Sequence, residues 1–143
     1  MSVVVDASVA FKWFAAGEQH AGAAAALRQQ EASLLAPDIL VAEVCNTAWR
    51  CVRQGWLEPQ QATRIAVVLP GLFESLTGAA TLAPRAVAIA RELDHPVYDC
   101  LYLALAEARQ TSLVTADARF LAKLSGTAWE ASTLSLAGYS SRA

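Results

Sequence analysis

Val3-Val4-Val5 runs straight into Asp6, and no other stretch restricts the possible folds as tightly. Three β-branched residues in a row favour a strand. They do not alternate with polar residues, so both faces of that strand need cover. This is the condition of an inner strand in a parallel sheet. Parallel neighbours can be joined only through crossover segments, usually helices. A chain that starts this way should therefore alternate strands with helices.

The remaining sequence can be parsed on that basis. Ser8 reads as the N-cap of a short helix carrying Phe11, Lys12, Trp13 and Phe14. Gln19 to Glu31 is rich in good helix formers, and Leu34-Leu35-Ala36 reads as a second strand stopped by Pro37. Pro37-Asp38 opens a helix from about Ile39 to Gln54, closed by Gly55. Glu58-Pro59 starts another to about Leu69, Leu72 to Leu76 reads as a strand, and Pro84 starts a helix to about Leu93. Pro96 starts the next, to about Gln110; Ser112 to Thr115 is a strand, and Asp117 caps a helix to about Leu124. A last strand is expected near Thr127 to Ala131. The expected fold is α/β, one domain over residues 1–143, with an ordered core over about 2–135 and a loose tail at 140–143.

Composition removes several function classes. Hydrophobic residues make up 55% and charged residues 17%, the opposite of a disordered chain. The apolar excess suggests a surface covered by a partner or a second copy. Charges interrupt every apolar run before the roughly 20 residues of a spanning helix, so no membrane segment is expected. Asp6 stands where a secretory signal would be apolar. Three cysteines, Cys45, Cys51 and Cys100, are odd in number and lack metal-type spacing, which fits free thiols in a reducing cytoplasm. Net charge is −2. Thirteen acids less four candidate metal ligands leave nine against 11 basic residues, so an acidic total does not exclude an RNA substrate.

Those four candidates are Asp6, Glu43, Asp99 and Asp117. Asp6 and Asp117 each follow a strand and start a helix, and in an open parallel sheet such positions share one rim. Taken singly, each is an ordinary helix cap. Asp99 is the only charge between Val97 and Ala106, an otherwise apolar stretch. A carboxylate in such company needs a cation or a proton. Glu43 shares a helix face with Asn46, Thr47 and Arg50, which alone would read as a solvated face. Four carboxylates on one rim stay ionised together only around a divalent cation, and an all-oxygen set suits Mg2+ or Mn2+ rather than zinc. Such sites hydrolyse phosphodiesters. Ser8 and Thr115 are placed to orient carboxylates, and Lys12 and Arg119, close after Asp6 and Asp117, are candidate phosphate contacts. The four tryptophans could stack bases but read better as core or interface residues. His95, in Asp94-His95-Pro96, reads as a loop residue.

Taken in order, Val3–Ser8, Pro37–Val44, Tyr98–Ala106 and Leu113–Leu121 resemble the four acidic motifs of the PIN domain, most closely those of the VapC-type toxin ribonucleases. The resemblance covers nearly the whole chain and includes all four acidic positions. It implies a central parallel sheet of about five strands flanked by helices. It also implies a metal-dependent endoribonuclease acting on RNA, tRNA among the candidates, with Asp6, Asp99 and Asp117 as core ligands and Glu43 completing the site. Homodimers and a small VapB-like antitoxin are the partners it implies, the antitoxin lying across the active-site groove. A non-toxin RNA-processing nuclease and a catalytically silent PIN-like binding module are the alternatives. A haloacid-dehalogenase-type phosphatase would need a second acid where Ser8 stands.

Overall fold

The computed structural model describes residues 1–30 and 33–141. Five strands form one sheet: β1 (Ser2–Val5), β2 (Ser33–Pro37), β3 (Ser75–Thr77), β4 (Leu113–Thr115) and β5 (Thr133–Ser135). Their order is β3-β2-β1-β4-β5, and every neighbouring pair is parallel. β1 is central, as its unalternating valines require, and Val3, Val4 and Val5 are all buried.

The connecting helices are α1 (Ala7–Ala10), α2 (Ala21–Gln30), α3 (Ile39–Arg53), α4 (Pro59–Val68), α5 (Ala79–Leu93), α6 (Val97–Ala108), α7 (Ala118–Leu124) and α8 (Leu136–Ser141). α6 packs against β1, β2 and β4, and its residues Cys100 to Ala106 are all buried. α3 is amphipathic, burying Leu40, Val44 and Ala48. It ends at Gly55, whose φ of 80° supplies the left-handed turn a helix stop needs. Glu58 and Gln61 form a reciprocal capping box at the start of α4, with Pro59 in the first turn.

Strand order reverses at β1: the chain moves outward to β2 and β3 on one side, then crosses to β4 and β5 on the other. The crevice at the carboxyl ends of β1 and β4 is therefore the topological switch point, where open α/β sheets bind ligands. Among the described residues, no helix is long and apolar enough to cross a membrane.

Several local expectations are corrected. Asp6, not Ser8, caps α1, accepting from the Val9 N–H, and Phe11–Phe14 form a separate 3-10 turn. The helix expected at Pro84 begins at Ala79, because the Asp38 carboxylate on a distant segment accepts from the Ala79 N–H at 3.0 Å. Pro84 therefore lies inside α5. The third strand is Ser75–Thr77, since Leu69–Leu72 form a 3-10 turn. The last strand is Thr133–Ser135. Thr127 is drawn into a turn by donating to the Leu124 carbonyl at 2.6 Å, and Glu130 bends back to accept from the Gly126 N–H at 2.7 Å. α8 runs to Ser141, and Glu31, Arg142 and Ala143 lie outside the described residues.

Candidate active site

A groove of about 500 Å3 opens at the switch point, and Asp6, Glu43, Asp99 and Asp117 all line it. They arrive there from four elements. Asp6 is the first residue after β1, Asp117 lies two residues beyond β4, Glu43 projects from α3, and Asp99 occupies the first turn of α6.

Asp6 is the most enclosed of the four, at 6% exposure. Its Oδ1 accepts from the Ser8 hydroxyl at 2.5 Å and the Val9 N–H at 3.3 Å, and its Oδ2 accepts from the Thr115 hydroxyl. Ser8 Oγ in turn accepts from the Ala116 N–H at 3.0 Å, and Thr115 Oγ1 from the Asp117 N–H at 3.1 Å. These bonds tie the ends of β1 and β4 together, so Asp6 and Asp117 are positioned by one network. Burial pushes the Asp6 carboxyl up to about 6; the three donors partly offset this, and the Asp99 charge adds to it.

The other three acids share a pattern. Glu43 Oε1 accepts from the Tyr102 hydroxyl at 2.5 Å. Asp99 Oδ2 meets His95 Nε2 at 2.7 Å, and the His95 ring stacks on Phe120 at 5.0 Å between centroids. Asp117 Oδ1 accepts from the Arg119 and Phe120 N–H groups at 3.0 and 3.1 Å, capping α7. Each carboxylate is held by one oxygen. Among the described residues, no protein donor reaches Glu43 Oε2, Asp99 Oδ1 or Asp117 Oδ2. Burial raises Glu43 above the usual carboxylate range; Tyr102 opposes this and the Asp99 charge reinforces it. Burial, and then the Glu43 charge, push the Tyr102 phenol far up, so it remains a donor at any pH the protein meets.

A charged form disfavoured by burial and by neighbouring negative charge is stabilised by an added cation, and the available donors are oxygens. Asp6, Glu43 and Asp99 thus fit a hard divalent ion such as Mg2+ or Mn2+, with Asp117 on the same rim. As the side chains stand, no three His, Cys, Asp or Glu residues among those described gather tightly enough to share one ion. Bringing them onto one ion takes side-chain rotation or bridging water.

Lys12 lines the groove, its side chain 11% exposed and its Nζ 3.7 Å from Glu18 Oε2. Arg119 is exposed on α7 and is not a lining residue. Asn46, Thr47 and Arg50 do line it, so the polar face of α3 is a groove wall. Trp13 and Trp129 pack with the core, whereas Trp49 and Trp56 are 51% and 74% exposed. All three cysteines are free. Asp99, expected to lack a partner inside an apolar helix, is one third exposed and paired with His95.

His95 and Tyr102 had no assigned role in the sequence. The signal lay in spacing: Tyr102 stands three residues after Asp99, one turn along α6, and His95 four before it, in the segment that leads into the helix. We expect Tyr102→Phe to weaken Mn2+ binding and cleavage by about tenfold, read by calorimetry and gel assay, with little change in melting temperature.

Comparison with known proteins identifies the family. Residues 3–124 match the family described as PIN domain. The chain is 31% identical to Ribonuclease VapC3 of Pyrobaculum aerophilum over 125 residues, 86% of this chain and 95% of the relative. Its fold is similar to the crystal structure of PAE2754 from Pyrobaculum aerophilum, with TM-score 0.70, 24% identity and coverage of 99% and 97% of the two chains. It is also similar to that of Mycobacterium tuberculosis VapC20, described as a sarcin-ricin loop cleaving toxin, with TM-score 0.66, 17% identity and coverage of 89% and 97%. By its sheet, its four acidic positions and these matches, the chain belongs to the PIN-domain family, in its VapC-type branch.

Proposed function

We propose that this protein is a divalent-cation-dependent endoribonuclease and the toxin of a VapBC-type pair. The observation that carries this reading is the groove that four carboxylates line, three of them with one oxygen held by the protein and, among the described residues, no donor on the other. Asp6, Asp99 and Asp117 would hold Mg2+ or Mn2+, and Glu43 would complete the set directly or through water. A divalent ion bound there supplies Lewis-acid polarisation of a phosphoryl oxygen and a lower pKa for water.

The chain's own groups supply position. Ser8 and Thr115 orient Asp6 by holding its two oxygens, whereas His95 holds one oxygen of Asp99 and Tyr102 one oxygen of Glu43. Ser8 and Tyr102 donate their hydroxyl hydrogens to Asp6 and Glu43, the carboxylates they position. In this reading water is the nucleophile, adding across a P–O bond of the RNA backbone. Exposed apolar residues such as Trp49, Trp56 and Val67 leave surface for partners. This accords with a homodimer and with a VapB-like antitoxin, and a cytoplasmic location belongs to the same reading.

The test is incubation of total bacterial RNA with the purified protein and Mg2+ or Mn2+, beside lanes with EDTA and with Asp99→Asn. Discrete fragments absent from both controls are expected. No cleavage under any divalent ion would turn the assignment toward the silent binding module.

A further inference from the structure

Two cations line the groove, Lys12 and Arg50, and their surroundings differ. Lys12 Nζ stands 3.7 Å from Glu18, which takes up part of its charge. Arg50 has no carboxylate partner among the described residues; its polar contact is the Thr47 hydroxyl, 3.4 Å from Nη2. Thr47 is itself bonded to the Glu43 carbonyl at 3.1 Å, so this tether runs back along α3 toward the acid cluster. Glu43 and Arg50 are seven residues apart on one face of the helix, about 10 Å along its axis. Among the described residues, no ion pair joins the two.

An arginine left without an acid in a groove lined by five acidic side chains has a planar fork of donors free for an anion from outside. The geometry points to Arg50 as the contact for a backbone phosphate flanking the scissile one, so that α3 carries both a cluster acid and the residue that aligns the RNA strand. This inference rests on the nuclease reading above and extends it. It assigns strand binding to a residue outside the acid cluster, and to the α3 wall rather than to Arg119 on α7.

The distance from the cluster dictates the expected signature. A flanking-phosphate contact acts on binding before and after the chemical step alike, so Arg50→Gln should raise KM and leave kcat nearly unchanged. The direct measurement is anisotropy of a short fluorescein-labelled single-stranded RNA of mixed sequence, in EDTA, across a salt series. Arg50→Gln should bind about tenfold more weakly, with the log–log salt slope shallower by about 0.7. Arg50→Lys should keep the slope and recover part of the affinity. Arg109→Gln removes the same charge at the far end of α6 from Asp99 and should match wild type. If Arg50→Gln matches Arg109→Gln in affinity and slope while wild type binds and cleaves RNA, the Arg50 assignment falls and the nuclease reading stands. If wild type neither binds nor cleaves RNA, both fall.

Discussion

Asp6→Asn is expected to lower RNA cleavage by about a thousandfold, the loss of roughly 4 kcal/mol of transition-state stabilisation, while making the cation-free protein more stable near pH 8. The two effects have one cause. The Asp6 carboxyl is nearly enclosed, and burial lifts its pKa from 3.8 to about 6 despite three hydrogen-bond donors. The folded state therefore favours the protonated acid. Its contribution to stability is fully present below about pH 3.8 and is lost as pH rises through about 6. Near pH 8 the ionised group costs of order 3 kcal/mol relative to an unfolded chain. Asparagine keeps the shape and an acceptor for Ser8 and carries no ionisation. Melting curves in EDTA should show the variant above wild type near pH 8 and the two converging near pH 4. A variant that melts well below wild type near pH 8 would mean that Asp6 acts mainly as a structural cap of α1.

Divalent cations should reverse this pH penalty. Near pH 8, Mg2+ or Mn2+ at a hundred times its Kd should stabilise wild type by about 2.7 kcal/mol. Near pH 4, where Asp6 is protonated, the same ion should stabilise far less. Glu43 moves in the same direction, raised by burial and by the Asp99 charge, so it adds to the effect. Asp6→Asn should show little cation response at either pH. Thermal shift across a pH and cation grid checks this, and an equal shift at both ends of the pH range would show the ions binding somewhere other than the carboxylates.

Much of this site could be read in the sequence because Asp6, Asp99 and Asp117 sit at element boundaries with strong local signals. Val3-Val4-Val5-Asp6 declares a buried strand and its end, and Thr115-Ala116-Asp117 does the same for β4. The sheet that brings these ends together follows from the βαβ alternation. Asp99 stood out by being charged in an apolar stretch, although its partner, His95, looked like a bare loop residue. That ring is fixed by Phe120 and Asp99, and only folding brings Phe120 beneath it. Tyr102 was hidden in the core stretch for the same reason, since its hydroxyl is satisfied by Glu43, 59 residues earlier.

The local errors also arise from contacts remote in sequence. Pro84 is a reasonable helix start until Asp38 reaches across to cap Ala79. Ser8 is a reasonable N-cap until its hydroxyl is drawn to Asp6 and the Ala116 N–H. The Thr127–Ala131 stretch has strand-forming residues, but two side-chain bonds fold it into turns and shift β5 to Thr133. Arg50 was grouped with a solvated face, and only the groove's three-dimensional outline shows what that face lines.

For this protein to cleave RNA as proposed, its carboxylates must hold a divalent ion together. The direct measurement is calorimetric titration of Mn2+ into the purified protein near pH 8, for wild type, Asp6→Asn and Asp99→Asn. Saturable binding to wild type is expected, lost in both variants while their folds, followed by circular dichroism, remain intact. Binding of equal affinity in all three would show that these carboxylates are not the metal site.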